Sequence, residues 1–158
     1  MPWWTMIVAT DEHLHRHSPF CENIRSGGEF PGDNPSAGGN GEPFAYSHLH
    51  ELEIPNAIRL KRFRGEITKT QETAAIRAFL GDVDAGRFER IAYDLAAVFI
   101  RAEQLSAKWS AEIGCRSLDL WHVAAALEVG CATFVSYDAR QRKAAEMSSL
   151  HVLPALSG

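Results

Sequence analysis

Two stretches decide the fold class: Arg116-Ser117-Leu118-Asp119-Leu120-Trp121-His122-Val123-Ala124-Ala125-Ala126-Leu127 and, shortly after, Thr133-Phe134-Val135-Ser136-Tyr137-Asp138-Ala139-Arg140-Gln141. The first is unbroken by proline or glycine. Ser117 is predicted to cap a helix from Leu118 to Val129, with Gly130 as its left-handed stop. The second begins with the β-formers Thr133 to Tyr137 and passes at Asp138 into a helical stretch, Ala139 to Met147. His151-Val152-Leu153 then reads as a last short strand. Strands that alternate with helices predict an α/β domain with a mainly parallel sheet. In such a sheet ligands bind beyond the carboxyl ends of the strands, which is where Asp138 stands.

The same alternation extends upstream. Phe44-Ala45-Tyr46-Ser47 is a strand candidate, and Leu49, Leu52, Asn56, Leu60, Phe63 and Ile67 recur at helical spacing. Pro55 falls within that pattern. Proline is tolerated in a first helical turn, so a start near Glu51 is expected, with Glu53 also in that turn. Further helices are predicted over Thr70 to Leu80 and Ala96 to Ile113, and a weak strand over Arg90 to Tyr93.

The first 42 residues differ in character. They hold six acids against two arginines, half of the 12 glycines and four of the 7 prolines. Residues 43–158 balance their charges, so the net charge of −4 lies entirely in the first segment. Met6 to Thr10 forms a strand candidate. Residues 26–41 contain one bulky apolar side chain, Phe30, too few to offset the entropy of ordering, and are expected to be flexible. The division is therefore an atypical segment, 1–42, and a folded domain, 43–158. At 158 residues, 46% hydrophobic and 23% charged, the chain suits one globular domain and excludes a collagen-like or wholly disordered one. No apolar run approaches the roughly 20 residues of a transmembrane helix, and Met1-Pro2-Trp3-Trp4 has no basic residue of the secretory kind. Three cysteines, Cys21, Cys115 and Cys131, make no CxxC pair, so a reduced, cytoplasmic protein without membrane association is expected.

Glu53, Asp119 and Asp138 each follow a predicted strand or open a predicted helix. One such carboxylate is ordinarily a cap. Three can converge, and carboxylates that converge without cysteine or histidine suit a hard cation, Mg²⁺ or Mn²⁺, better than zinc. His122 shares a helix face with Asp119 and suits either the orientation of a carboxylate or a place in the core. The alternating His13, His15 and His17, and the pair His48 and His50, lack a zinc-site pattern. Arg59, Lys61, Arg62 and Arg64 read as a solvated helix face before they read as an RNA-phosphate contact. The glycines of 27–41 neither follow a clear strand nor open a helix, against a phosphate-binding loop.

The stretches at 116–127 and 134–141 resemble the C-terminal half of PIN domains, above all the VapC-type toxins of bacterial toxin–antitoxin pairs. Leu52-Glu53-Ile54-Pro55-Asn56-Ala57-Ile58-Arg59-Leu60 resembles the helix that bears the family's glutamate, with its Asn-Ala three residues on. The likeness covers residues 43–158. It implies a three-layer α/β/α fold, Mg²⁺- or Mn²⁺-dependent endoribonuclease activity, an RNA substrate, a cognate antitoxin and a homodimer. Glu53, Asp119 and Asp138 match three of the family's four acids as catalytic residues and metal ligands. The fourth normally ends the first strand as Asp followed by Thr or Ser. That pattern is not reproduced here; Asp11 is the candidate for the place, with Glu12 after it where Thr or Ser is expected. The departure implies an alternative: a catalytically impaired PIN-like protein that pairs with an antitoxin or another PIN chain.

Overall fold

Residue burial follows the predicted alternation. A computed structural model of the protein describes residues 5–8 and 44–153. The elements run β1 (Thr5–Val8), β2 (Phe44–Tyr46), α1 (His48–Phe63), α2 (Lys69–Asp84), β3 (Phe88–Arg90), α3 (Leu95–Ile113), α4 (Ser117–Glu128), β4 (Thr133–Ser136), α5 (Ala139–Met147) and β5 (His151–Leu153). The chain is thus mixed α/β. The stretch 26–41, the change of character at Glu42 and the histidines 13, 15 and 17 lie outside the described residues, as does Asp11.

The five strands form one sheet in the order β3-β2-β1-β4-β5. The outer pairs are parallel: Phe44 to Tyr46 match Phe88 to Arg90, and Thr133 to Val135 match His151 to Leu153. The seam between them is not. β1 is antiparallel to both neighbours, with Ile7 opposite Ala45 and Thr5 to Val8 opposite Ser136 to Thr133. The mainly parallel sheet expected from the alternation is therefore a mixed one. A strand antiparallel to both β2 and β4 leaves those two pointing the same way, so Tyr46 and Ser136 end at one edge of the sheet. β1 ends at Val8, level with Thr133, at the opposite edge.

Adjacent residues of β4 serve different cores, as the two-residue period of a strand requires. Phe134 packs with Val98 and Leu105 of α3, Val123 and Ala124 to Ala126 of α4, and Ala144 and Ala145 of α5. Val135 belongs to the other cluster, with Tyr46, Ile54 and Ile58 of α1, Phe79 of α2 and Phe88. There the rings of Tyr46, Phe79 and Phe88 meet edge to face with centroids 5.6–6.4 Å apart. The small residues Ala124 to Ala126 are fully covered, which lets α3 and α5 approach α4 closely.

α2 runs on to Asp84, four residues past its expected end, and three other boundaries differ from the sequence reading for local reasons. α1 starts at His48, because Ser47 and His50 bond one another at the helix start. Pro55 is consequently in the helix interior, at the loss of one backbone hydrogen bond, and Glu53 is in the second turn. α4 starts at Ser117 itself. Its cap is Arg116, whose N–H is accepted by the Asp119 carboxylate, the back half of a capping box. The strand expected at Arg90 to Tyr93 is β3, two residues earlier. Elsewhere α5 and β5 have the limits expected, and Gly130, at φ +74°, ends the α4 turn as predicted.

Phe134 has no exposed surface and joins three helices to the sheet. Phe134→Ala should lower the unfolding free energy by about 3–5 kcal/mol in denaturant titration, as for other large-to-small core changes.

Candidate functional site

The edge where β2 and β4 end collects the helix starts of α1, α4 and α5, and with them the three acids. Asp138 follows β4 and caps α5: its Oδ1 accepts the N–H groups of Arg140 and Gln141 at 2.9 and 3.2 Å. Its own N–H donates to Ser136 Oγ, whose hydroxyl donates to Gln141 Oε1 at 2.8 Å. Gln141 is buried and turns its amide toward Asp119 Oδ1, 3.4 Å away.

Asp119 sits in the first turn of α4 and is 2% exposed. A buried carboxylate must be paired, or its desolvation destabilises the fold by several kcal/mol. Arg116 pairs it three times. Its backbone N–H and Nε–H donate to Oδ2 at 2.8 and 2.9 Å, and its Nη2 donates to Oδ1 at 2.9 Å. The same Nη2 lies 3.5 Å from Asp138 Oδ2, so one guanidinium spans both acids. Burial by itself would raise the Asp119 carboxyl; the hydrogen bonds and charge of Arg116 outweigh it and hold the group below its ordinary value.

The third acid joins through a histidine. His122, one turn after Asp119 on α4, is buried and bonds Glu53 Oε2 through Nε2 at 2.7 Å. The carboxylate accepts, so Nε2–H donates. Nδ1 of His122 has no hydrogen-bond partner among the described residues. The His122 ring packs on His50 with centroids 4.7 Å apart. His50 Nδ1 accepts the Ser47 N–H at 3.1 Å, which places that ring's proton on Nε2. Glu53 is partly exposed, and Oε2 is the oxygen through which α1 is tied to α4.

Two sets result: Glu53 is bonded to His122, and Asp119 and Asp138 share Arg116 and Gln141, the two sets meeting through the first turns of α4. Asp11 lies outside the described residues. The oxygen donors have the chemistry of a Mg²⁺ or Mn²⁺ site. Their arrangement is closed around a guanidinium, and among the described residues no group of three histidine, cysteine or acidic side chains is set to hold a metal ion. Among the described residues, burial pushes the Cys131 thiol up to about 12 and raises that of Cys115, so neither favours the thiolate.

The role of Arg116 was missed in the sequence, although its position three residues before Asp119 is a helical pair spacing. Gln141 and Ser136 carried no signal, since their link to Asp119 crosses from α5 to α4. The basic run is largely a solvated face, with Arg62 bonded to Glu72 at 2.7 Å and Arg64 3.8 Å from Glu66. No helix among the described residues is long and apolar enough to cross a membrane. Comparison with protein-family models, with curated proteins and with solved structures finds no match.

The Asp119 pairing has a pH signature. A carboxyl held below its unfolded value of about 3.9 adds stability above that pH, and the contribution is lost as pH falls through the lower folded value. Thermal melts from about pH 5 to pH 2 should therefore show a steeper acid loss for the wild type than for Asp119→Asn. Parallel acid limbs would show that Arg116 leaves the carboxyl unperturbed.

Proposed function

We propose that the protein is a metal-dependent endoribonuclease of PIN type, the toxin of a toxin–antitoxin pair, with the three-layer α/β/α architecture of that family. The observation that carries this reading is the assembly of Glu53, Asp119 and Asp138 at one sheet edge, where α/β sheets place their ligand sites. The division of β4 between two core clusters supports the layered arrangement. The likeness of 52–60, 116–127 and 134–141 to PIN motifs supports the chemistry.

In this reading Asp119 and Asp138 are the principal ligands of Mg²⁺ or Mn²⁺, with Glu53 beside them. A bound divalent cation supplies positive charge for an attacking water and for a phosphodiester's developing negative charge. In this reading Glu53, whose Oε2 is held by His122, would be the carboxylate that accepts a proton from that water. His122 acts as a positioning residue. Asp138 is anchored through Oδ1 to the first N–H groups of α5, which leaves Oδ2 3.5 Å from the Arg116 guanidinium. The proposed partners are an antitoxin and a second copy of the chain, and the proposed compartment is the cytoplasm. Exposed Leu95, Phe99 and Ile100 at the start of α3 form an apolar surface that a protein partner would cover.

A second reading is favoured by one observation, the engagement of both Asp119 oxygens by Arg116. It makes the protein a PIN-like binding partner that does not cleave RNA. Incubation of purified protein with RNA and Mg²⁺ or Mn²⁺ separates the two. The nuclease reading expects cleavage that chelation abolishes and that Asp119→Asn or Glu53→Gln reduces roughly a hundred-fold or more. Absence of metal-dependent cleavage by the wild type, with a protein partner still bound, would establish the second reading. Should cleavage persist in both variants, the acids named here are not its machinery.

A further inference from the structure

Among the described residues, Arg116 is the cation that links two of the three acids. It lies within the proposed metal-binding edge, and its guanidinium meets Asp119 in a two-point fork while reaching Asp138. Yet its side chain is 55% exposed, whereas that of Asp119 is 3% exposed. The two partners therefore have unequal freedom. Asp119 is fixed by packing, by the Arg116 backbone N–H and by Gln141; the Arg116 side chain is more than half exposed. Rotation of the Arg116 side chain into solvent buries no charge and breaks no backbone bond. The cap at the start of α4 stays closed, since it uses the main-chain N–H.

We infer that Arg116 is a displaceable internal cation that occupies the seat between Asp119 and Asp138 and must withdraw before a divalent ion binds there. The inference rests on the metal-nuclease reading and adds to it a resting form closed by the chain itself. Two physical requirements meet in one residue. Without an ion, a buried carboxylate needs a countercharge close by, and Arg116 supplies it. With an ion, the same oxygens are needed as ligands, and a second cation among them repels the first. Arginine meets the first requirement well, because its fork matches one carboxylate in two hydrogen bonds and its charge persists at every relevant pH. Arg140 does not take this role, because its Nη1 donates to the carbonyl of Gly114.

Competition of this kind is read by metal binding, apart from any activity. An opposite charge near a carboxylate changes its proton affinity by about one to three decades; for a half-exposed arginine the low end applies, and Arg116→Gln should bind Mn²⁺ about ten-fold more tightly than wild type. Water-proton relaxation or calorimetry measures this directly. Arg116→Lys, which keeps the charge and loses the fork, should fall between. Wild-type protein labelled with ¹⁵N-arginine gives an independent measurement that requires no variant to fold. The Nε–H signal of Arg116 should be protected from exchange without metal and lose that protection as Mg²⁺ is added. Equal Mn²⁺ affinity in wild type and Arg116→Gln, or an unchanged Nε–H signal while Mg²⁺ binds, would overturn the displacement and leave the metal reading standing. Failure of wild type and variants alike to bind either ion would overturn the metal reading, and the displacement with it.

Discussion

A carboxylate with 2% of its surface exposed, on the buried face of a helix, constrains everything near it. Asp119 is held in its charged form by Arg116, and the pairing sets more than one charge. It closes the N-terminus of α4 through the Arg116 backbone, fixes the guanidinium between two acids and brings Gln141 against the same oxygen. Removal of Arg116's charge leaves a buried anion with two hydrogen bonds but without its paired cation, an arrangement that normally destabilises a fold strongly. The core beneath α4 explains why Asp119 cannot move to water instead. Leu120, Val123 and Ala124 are covered on the same helix.

The mixed sheet matters for the same site. Because β1 is antiparallel to both β2 and β4, two parallel halves share a direction across it, and their carboxyl ends deliver α1 and α5 to one edge. α4, which packs against β1, completes the arrangement, with Asp119 toward α5 and His122 toward α1. The direction of β1 also means that the chain leaves it at the edge away from this assembly.

Histidine and arginine divide the labour. Glu53 is held by a neutral-capable donor on the α1 side, with the His122 ring packed at a tilt on that of His50. Asp119 and Asp138 are held by a permanent cation on the α5 side. The first arrangement orients a carboxylate while leaving its second oxygen to solvent. The second pairs one cation with two carboxylates at once, a cost in accessibility that an exposed side chain can reverse.

The alternation of strand and helix was legible in the chain, since β-branched and aromatic runs such as Thr133 to Tyr137 and the alanine-rich stretch at 124–126 have strong local preferences. So were Asp138 as the start of α5 and the shared face of Asp119 and His122, because both follow from spacing along one element. Strand direction was not legible. Parallel and antiparallel pairing use the same alternating side chains, and only the packed sheet sets β1 against both neighbours. Nor was the start of α1, where a Ser47–His50 contact outweighs the preference of Pro55 for a first turn. The contacts of His122 with Glu53 and of Arg116 with Asp138 join residues 69 and 22 positions apart. A sequence supplies the charges of such pairs; the tertiary structure decides which of them meet, because distance in space is set by how the helices pack and not by their order in the chain.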